Sequence, residues 1–323
     1  MEKIEDIKYP GWGNPKAVIA IHNNQAHIPG VSDFDELTDF NGELEAEKII
    51  DELRPKELGN FDNWIIMKPE LILLKYDKAT STYTLPSGDI PPIEHRDDKN
   101  GILHKITIPG EHKPMAKAFR VDSVVEIEGY KWVGLRSSYD VLTKRQYIAS
   151  VKAVQMIYWD MDYKFCSNCG TPLEYKDYNL KQCPNCGKMF FPKIAPAMIV
   201  RIDKGDKIFM VKAKNFRRKS FFGLTAGFME VGETLEECVE REVFEETHMK
   251  VKNIKYFGSQ SWPYPGNLMV GFTAEYESGE VVLQEEELSD GEFFGYDELP
   301  PVPKRLSMAR MLIDDWIMKI KNK

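Results

Sequence analysis

Apolar residues recur along this chain with two different periods, and the change from one to the other is the first guide to its organisation. Up to about Ile106 the apolar runs are short, as in Trp64 to Met67 and Glu70 to Tyr76, and Pro, Gly and Asp cluster between them. That is the pattern of strands joined by turns, with one helix expected near Glu43 to Glu57. Further strands are expected at Ala118 to Glu128 and Tyr130 to Leu135. Tyr139, Leu142, Ile148, Val151, Val154, Ile157 and Tyr158 then trace one helical face running toward Cys166. From Ala195 onward, strands at Ala197 to Ile202, Lys207 to Lys212 and Leu268 to Tyr276 alternate with a helix at about Leu235 to Thr247. An amphipathic helix, Ser307 to Lys319, closes the chain behind a serine suited to an N-cap. These elements predict an α+β domain over 1–158, a small module over 159–191 and an α/β/α sandwich with a mixed sheet over 192–323.

Length agrees with that division, because 323 residues exceed one ordinary core. The chain is 42% hydrophobic and 29% charged, and no segment approaches the ~18 uninterrupted apolar residues of a membrane helix. Its first residues, MEKIEDIKYPGW, carry charges where a signal peptide needs an apolar run, so a cytoplasmic, membrane-free protein is expected. A net charge of -8 argues against broad, sequence-independent nucleic-acid binding, which depends on a basic surface. A basic run does occur, Lys212, Lys214, Arg217, Arg218 and Lys219. It reads first as a solvated loop, and second as a local means of steering a phosphate or holding RNA.

Four of the five cysteines form two Cys-x-x-Cys pairs, Cys166/Cys169 and Cys183/Cys186, each followed directly by glycine. Four thiolates at this spacing match tetrahedral zinc, and the glycines let the backbone turn tightly around the ion. A site with four protein ligands has no position left for water, so zinc here is structural. The nearby lysines, Lys164, Lys176, Lys181 and Lys188, are offset by Asp162, Glu174 and Asp177, which weakens an RNA-binding reading of the module. Cys238 falls on an apolar helical stripe and reads as a small core residue.

The stretch from Gly227 to Met249 carries the chemistry. Thr234 and Glu237 form a capping box, and Leu235, Val239 and Val243 make an i, i+4 apolar stripe, so this is a helix with one buried face. Glu242, Glu245 and Glu246 lie on one side of it, where like charges repel and a counter-charge is needed. Hard divalent cations, Mg2+ or Mn2+, prefer such oxygens and are what a phosphoanhydride requires for hydrolysis. Arg241 is placed to reach back to Glu233.

The same string resembles the Nudix box, with Gly227, Glu233, Arg241, Glu242, Val243, Glu245, Glu246 and Met249 on its fixed positions. His248 stands where the family has glycine; if that position needs a positive φ, histidine costs about 1 kcal/mol. Downstream, Ser259, Gln260, Trp262, Pro263 and Pro265 resemble the signature of the NADH pyrophosphatases and NAD-capped RNA hydrolases, with Ser261 in place of a proline and Asn267 in place of a serine. That family also places a zinc ribbon directly before its Nudix domain. The resemblance implies a homodimer that hydrolyses the pyrophosphate of NAD(H) to AMP and nicotinamide mononucleotide, and that also removes NAD caps from RNA 5' ends. It further implies that Glu287 joins Glu242, Glu245 and Glu246 at Mg2+ or Mn2+, Glu285 and Glu286 being the neighbouring alternatives. Phe228 and Phe191 would line the ring pocket, Trp262 would enter from the second subunit, Asn267 would keep hydrogen-bonding capacity, and the Ala309 backbone would meet the nicotinamide amide. The alternatives are a Nudix pyrophosphatase for ADP-ribose or dinucleoside polyphosphates, and a non-catalytic zinc-ribbon RNA-binding protein.

Overall fold

The computed structural model describes residues 63–68, 70–87, 104–108, 115–121, 124, 126–214, 221–264 and 266–322. The helix expected near Glu43 to Glu57 lies outside them, as do Arg217, Arg218, Lys219 and Pro265. The chain forms two compact units. One takes in the described residues up to Lys193 together with Pro263–Gly266; the other contains Ile194–Trp262 and Asn267–Lys323.

The first unit holds strands β1 (Asn63–Lys68), β2 (Leu71–Asp77), β3 (Thr82–Thr84), β4 (His104–Ile106), β5 (Ala116–Arg120) and β6 (Tyr130–Gly134). They make one mixed sheet in the order β3-β2-β1-β5-β4, with β6 also on β2 and with β1 and β5 parallel. Two strands are shorter than the apolar pattern suggests. Glu70 has φ 64 and belongs to the β1–β2 turn. The strand from Ala116 ends at Arg120, one residue before the Val121 amide donates to the Met67 carbonyl at 2.7 Å.

After the short helix α1 (Leu135–Ser138), helix α2 (Lys144–Asp162) packs on β1, β4 and β5. Its start is set by Thr143, whose hydroxyl accepts from the Gln146 amide while the Gln146 side chain returns to the Thr143 amide. Tyr139 and Leu142 therefore precede the helix, and its buried side is centred on Tyr147, Val151, Val154 and Trp159. Three short antiparallel strands follow, β7 (Glu174–Asp177), β8 (Leu180–Gln182) and β9 (Met189–Phe190). Lys181 of β8 is buried, and its Nζ meets Asp160 Oδ1 at 2.5 Å and the Tyr163 carbonyl at 2.7 Å, between the rings of Trp159 and Tyr175. An ammonium this far from water is held only because acceptors and ring faces surround it, and the contacts fasten the ribbon to the end of α2.

The second unit is built on β10 (Ala195–Lys204), β11 (Lys207–Ala213), β12 (Thr225–Phe228), β13 (Lys250–Trp262), β14 (Asn267–Ser278) and β15 (Leu288–Phe294). The order is β13-β14-β10-β11-β15, with β12 also on β10; β10 and β14 run parallel and the other pairs antiparallel. Side chains of β10 alternate between two buried faces. Met198, Val200 and Ile202 join Cys238, Val239 and Val243 of helix α3 (Leu235–Thr247) in one core. Arg201 points the other way, to the Leu312 carbonyl at 3.0 Å and to Asp315 at 2.5 Å in helix α4 (Met308–Lys321). Helices thus cover both faces, giving the α/β/α sandwich. Each fully buried Val, Ile or Phe contributes roughly 1.5–3 kcal/mol, which fixes α3 and its acidic side against the sheet.

Candidate active site and metal centre

Helix α3 begins at the capping box read from the sequence, with Thr234 accepting from the Glu237 amide and Glu237 accepting from the Thr234 amide. Val239 and Val243 of its apolar stripe are buried and Leu235 is partly so; Glu242 and Glu246 lie beside Gly227 and Thr225 of β12, whereas Glu245 is exposed and held by Arg241. Glu242 lies against the backbone of β12: a Cβ added to Gly227 would stand 1.9 Å from the Glu242 Cδ. Glycine there makes room for the Glu242 carboxyl and is not needed for its backbone angles.

Arg241 organises the rest. Its guanidinium holds Glu233 at 2.9 and 2.7 Å, the Phe228 carbonyl at 2.9 Å, Glu242 at 2.9 Å and Glu245 at 3.0 Å. These contacts join the loop after β12 to the helix and supply a counter-charge to two of its glutamates. Hydrogen bonds from Arg241 and then from the Glu230 amide hold the Glu233 carboxyl down at about 2. The sequence suggested only the Arg241–Glu233 link; its bonds to Glu242 and Glu245 follow from the side chain's planar fork of five donors.

Glu246 is different. It is 5% exposed, and its Oε2 has no hydrogen-bond partner among the described residues. Burial, with the charges of Glu242 and Glu287 next, pushes its pKa up to about 8. Glu242 is also raised, by burial first. A buried carboxyl with one unpartnered oxygen, flanked by further carboxylates, is a site that a divalent cation would satisfy.

Glu287 approaches from the loop between β14 and β15, which is stitched to the end of α3. The Val282 amide donates to the Thr247 carbonyl at 3.0 Å, and the Gln284 amide to the Glu246 carbonyl at 2.9 Å. From the other side, the Lys214 amide donates to the Glu287 carbonyl at 2.7 Å and its Nζ to the Glu285 carbonyl at 2.6 Å.

Trp262 and Asn267 are paired across the end of the β13–β14 hairpin. Phe228 is 54% exposed and Phe191 53%, so neither is a core residue. Ala309 is buried in the first turn of α4. Two further residues enter the site's framework, Gln260 of the signature segment and Thr225, to which the sequence does not point. Gln260, buried on β13, donates to the Leu306 carbonyl at 2.7 Å and so ties the hairpin to the start of α4. Thr225, buried on β12, has its hydroxyl beside the Glu246 carboxyl. Gln260 lay within the recognised signature; a single threonine on a four-residue strand gives no signal.

The cysteines form a separate centre in the first unit. All four Sγ atoms lie within 4.8 Å of one another, with Cys166–Cys186 at 3.5 Å and Cys169–Cys183 at 3.4 Å. Zinc–sulfur bonds of about 2.3 Å in a tetrahedron put sulfurs roughly 3.8 Å apart, whereas a disulfide needs about 2.05 Å. The group fits one tetrahedral ion. Gly170 and Gly187 have φ 72 and 74, and their amides donate to the Cys166 and Cys183 carbonyls at 2.9 and 3.0 Å. Hydrogen bonding to Thr171 brings the Cys169 thiol down to about 6, which favours the thiolate a metal binds.

A mixed sheet between two helices, with arginine-held glutamates on one helix, is a Nudix architecture, and a family model described as NUDIX domain matches residues 192–314. Over 200 residues the chain is 40% identical to the NAD-capped RNA hydrolase NudC of Pseudomonas aeruginosa, covering 62% of this chain and 72% of that protein. It is 40% identical over 184 residues to the enzyme of the same name from Chromobacterium violaceum, covering 57% and 69%. A crystal structure of a NUDIX hydrolase from Nitrosomonas europaea aligns with a TM-score of 0.40 at 20% identity, over 50% of this chain and 92% of that one. The chain belongs to the NudC-like Nudix hydrolases. No helix among the described residues is long and apolar enough to cross a membrane.

Proposed function

We propose that this protein hydrolyses the pyrophosphate of NAD(H) to nicotinamide mononucleotide and AMP, and that it removes NAD caps from RNA 5' ends by the same reaction. The observation that carries the chemistry is the buried Glu246 carboxyl, unpartnered among the described residues at Oε2 and flanked by Glu242 and Glu287. Glu242, Glu245, Glu246 and Glu287 would hold Mg2+ or Mn2+. When bound, these ions supply charge neutralisation at the phosphate oxygens and lower the pKa of a water molecule.

The chain's own residues do the rest. Arg241 and Glu233 fix the loop carrying Phe228, whose exposed ring offers a stacking surface for a nicotinamide or adenine. Trp262, Asn267, Phe191 and the Ala309 backbone complete substrate recognition in this reading. One P–O bond of the anhydride breaks, the water oxygen bonds to phosphorus, and the water proton passes to a carboxylate of the cluster. The cysteine centre holds structural zinc in the 159–191 ribbon, and the chemistry belongs to 192–323. The choice of substrate is supported by the relatives' named activity and by the Ser259 to Asn267 segment, and the homodimer by resemblance.

The test is direct. The purified full chain with Mn2+ is given NADH, ADP-ribose, a dinucleoside polyphosphate and an NAD-capped RNA, and products are separated by chromatography. Nicotinamide mononucleotide and AMP from NADH, formed faster than ADP-ribose is cleaved, is the expected result. Faster cleavage of ADP-ribose or the polyphosphate would sink the substrate assignment, and RNA binding without turnover would sink the enzyme.

A further inference from the structure

His248 ends helix α3 with φ 56 and ψ 12, a left-handed conformation that a residue with a Cβ adopts at a cost. Its carbonyl leaves room only for glycine at 279, where an added Cβ would stand 2.5 Å from the His248 oxygen. Two contacts of the side chain bear on the site. Nδ1 lies 3.1 Å from the Val282 carbonyl, and because a carbonyl can only accept, Nδ1 carries the hydrogen. The ring packs against Phe244 one turn back, with centroids 5.4 Å apart.

Val282 belongs to the segment that delivers Glu287. Within it, the Val282 and Gln284 amides cap the last carbonyls of α3, and the Glu287 amide donates to the Gln284 carbonyl at 3.1 Å. The His248 imidazole therefore joins the helix that bears Glu242, Glu245 and Glu246 to the loop that bears Glu287. Glycine would hold the same backbone angles at less cost but could not make this link.

We infer that His248 is a positioning residue: its imidazole, braced by Phe244 and bonded to Val282, fixes the Glu287 loop against helix α3 and so sets the geometry in which Glu287 joins the helix glutamates at a divalent cation. This rests on the assignment of Glu287 proposed above.

The experiment compares the full-length wild type with His248→Gly, Glu287→Gln and the double variant. Mn2+ affinity is read from the electron paramagnetic resonance signal of free Mn2+, alongside kcat and KM for NADH and the melting temperature. His248→Gly is expected to keep or raise the melting temperature, to weaken Mn2+ binding about tenfold, and to lower kcat while leaving KM unchanged. In the Glu287→Gln background it should change Mn2+ affinity no further. Equal weakening in both backgrounds, or none in either, overturns the proposal. Wild-type Mn2+ affinity in Glu287→Gln removes the Glu287 assignment and this role with it. Weak binding in Glu287→Gln beside normal binding in His248→Gly leaves that assignment standing and removes His248 alone. His248→Asn, which tolerates the left-handed backbone but has a shorter reach, reads the same link if the glycine variant does not fold.

Discussion

The carboxyl of Glu242 lies so close to the backbone of Gly227 that a Cβ on the glycine would meet its Cδ at 1.9 Å. The glutamate occupies the space a side chain would take, and the strand and the helix are fitted to each other around it. Gly227→Ala should therefore move the far end of one flexible side chain and leave the fold in place. A displacement of about 1 Å at the reacting centre can cost on the order of 100-fold in rate. The expected outcome is a melting temperature within a few degrees of wild type with activity reduced by about that factor, checked by calorimetry and by the NADH assay on the same preparation.

Glu246 makes the metal-free protein sensitive to pH. Its carboxyl ordinarily titrates at 4.5, and burial, then Glu242 and Glu287, raises it to about 8 in the folded chain. The folded state keeps a proton that the unfolded state releases, so the stability this group contributes is present below about 4.5 and is lost as pH rises through about 8. Glu246→Gln removes that dependence. In chelator-treated samples the variant should match wild type near pH 5 and melt higher at pH 8, each pKa unit corresponding to about 1.4 kcal/mol before structural relaxation. Activity should be lost. Unchanged hydrolysis in Glu246→Gln would remove this residue from the metal site.

In the proposed reading Phe228 serves binding and not folding. With its ring 54% exposed, truncation removes little buried surface and should shift the melting temperature only slightly. Stacking of a base on an aromatic ring is worth about 1–3 kcal/mol, so Phe228→Ala should raise KM for NADH by roughly 5- to 150-fold. A KM within twofold of wild type would return Phe228 to an ordinary surface position.

The cysteine centre should contain one zinc ion per chain by elemental analysis. Cys183→Ala removes a buried ligand and should abolish that stoichiometry. It should also expose the stretch between Tyr163 and Phe190 to proteolysis. Full zinc content in the variant would mean that the metal sits elsewhere.

Much of the second unit was legible because its signals are local. The capping box at Thr234 and the stripe Leu235, Val239, Val243 fixed helix α3 to the residue, and Ser307 did the same for the start of α4. Strand β13 was not legible. Its register shifts between Lys250 and Val251, Lys252 and Lys255, and Tyr256 and Gly258, and Asn253 has φ 54, so apolar and polar residues never settle into a period of two. Glu287 was placed among three consecutive glutamates only by resemblance, because what fixes that loop is a set of backbone bonds to Thr247, Glu246 and Lys214, far away in sequence. The face expected for helix α2 is buried at Val151, Val154 and Ile157, but Tyr139 and Leu142, which fit the same helical spacing, precede its N-cap.

The signature segment is the end of the two longest strands in the second unit, and the glutamates stand on a helix packed against that same sheet. On the function proposed above, hydrolysis and choice of substrate would be written on separate parts of one scaffold. Ser261 and Asn267, the two departures from the signature that the segment resembles, both lie at the hairpin end and not on the helix. On that reading a substitution at the hairpin end would alter what is cut without altering the means of cutting.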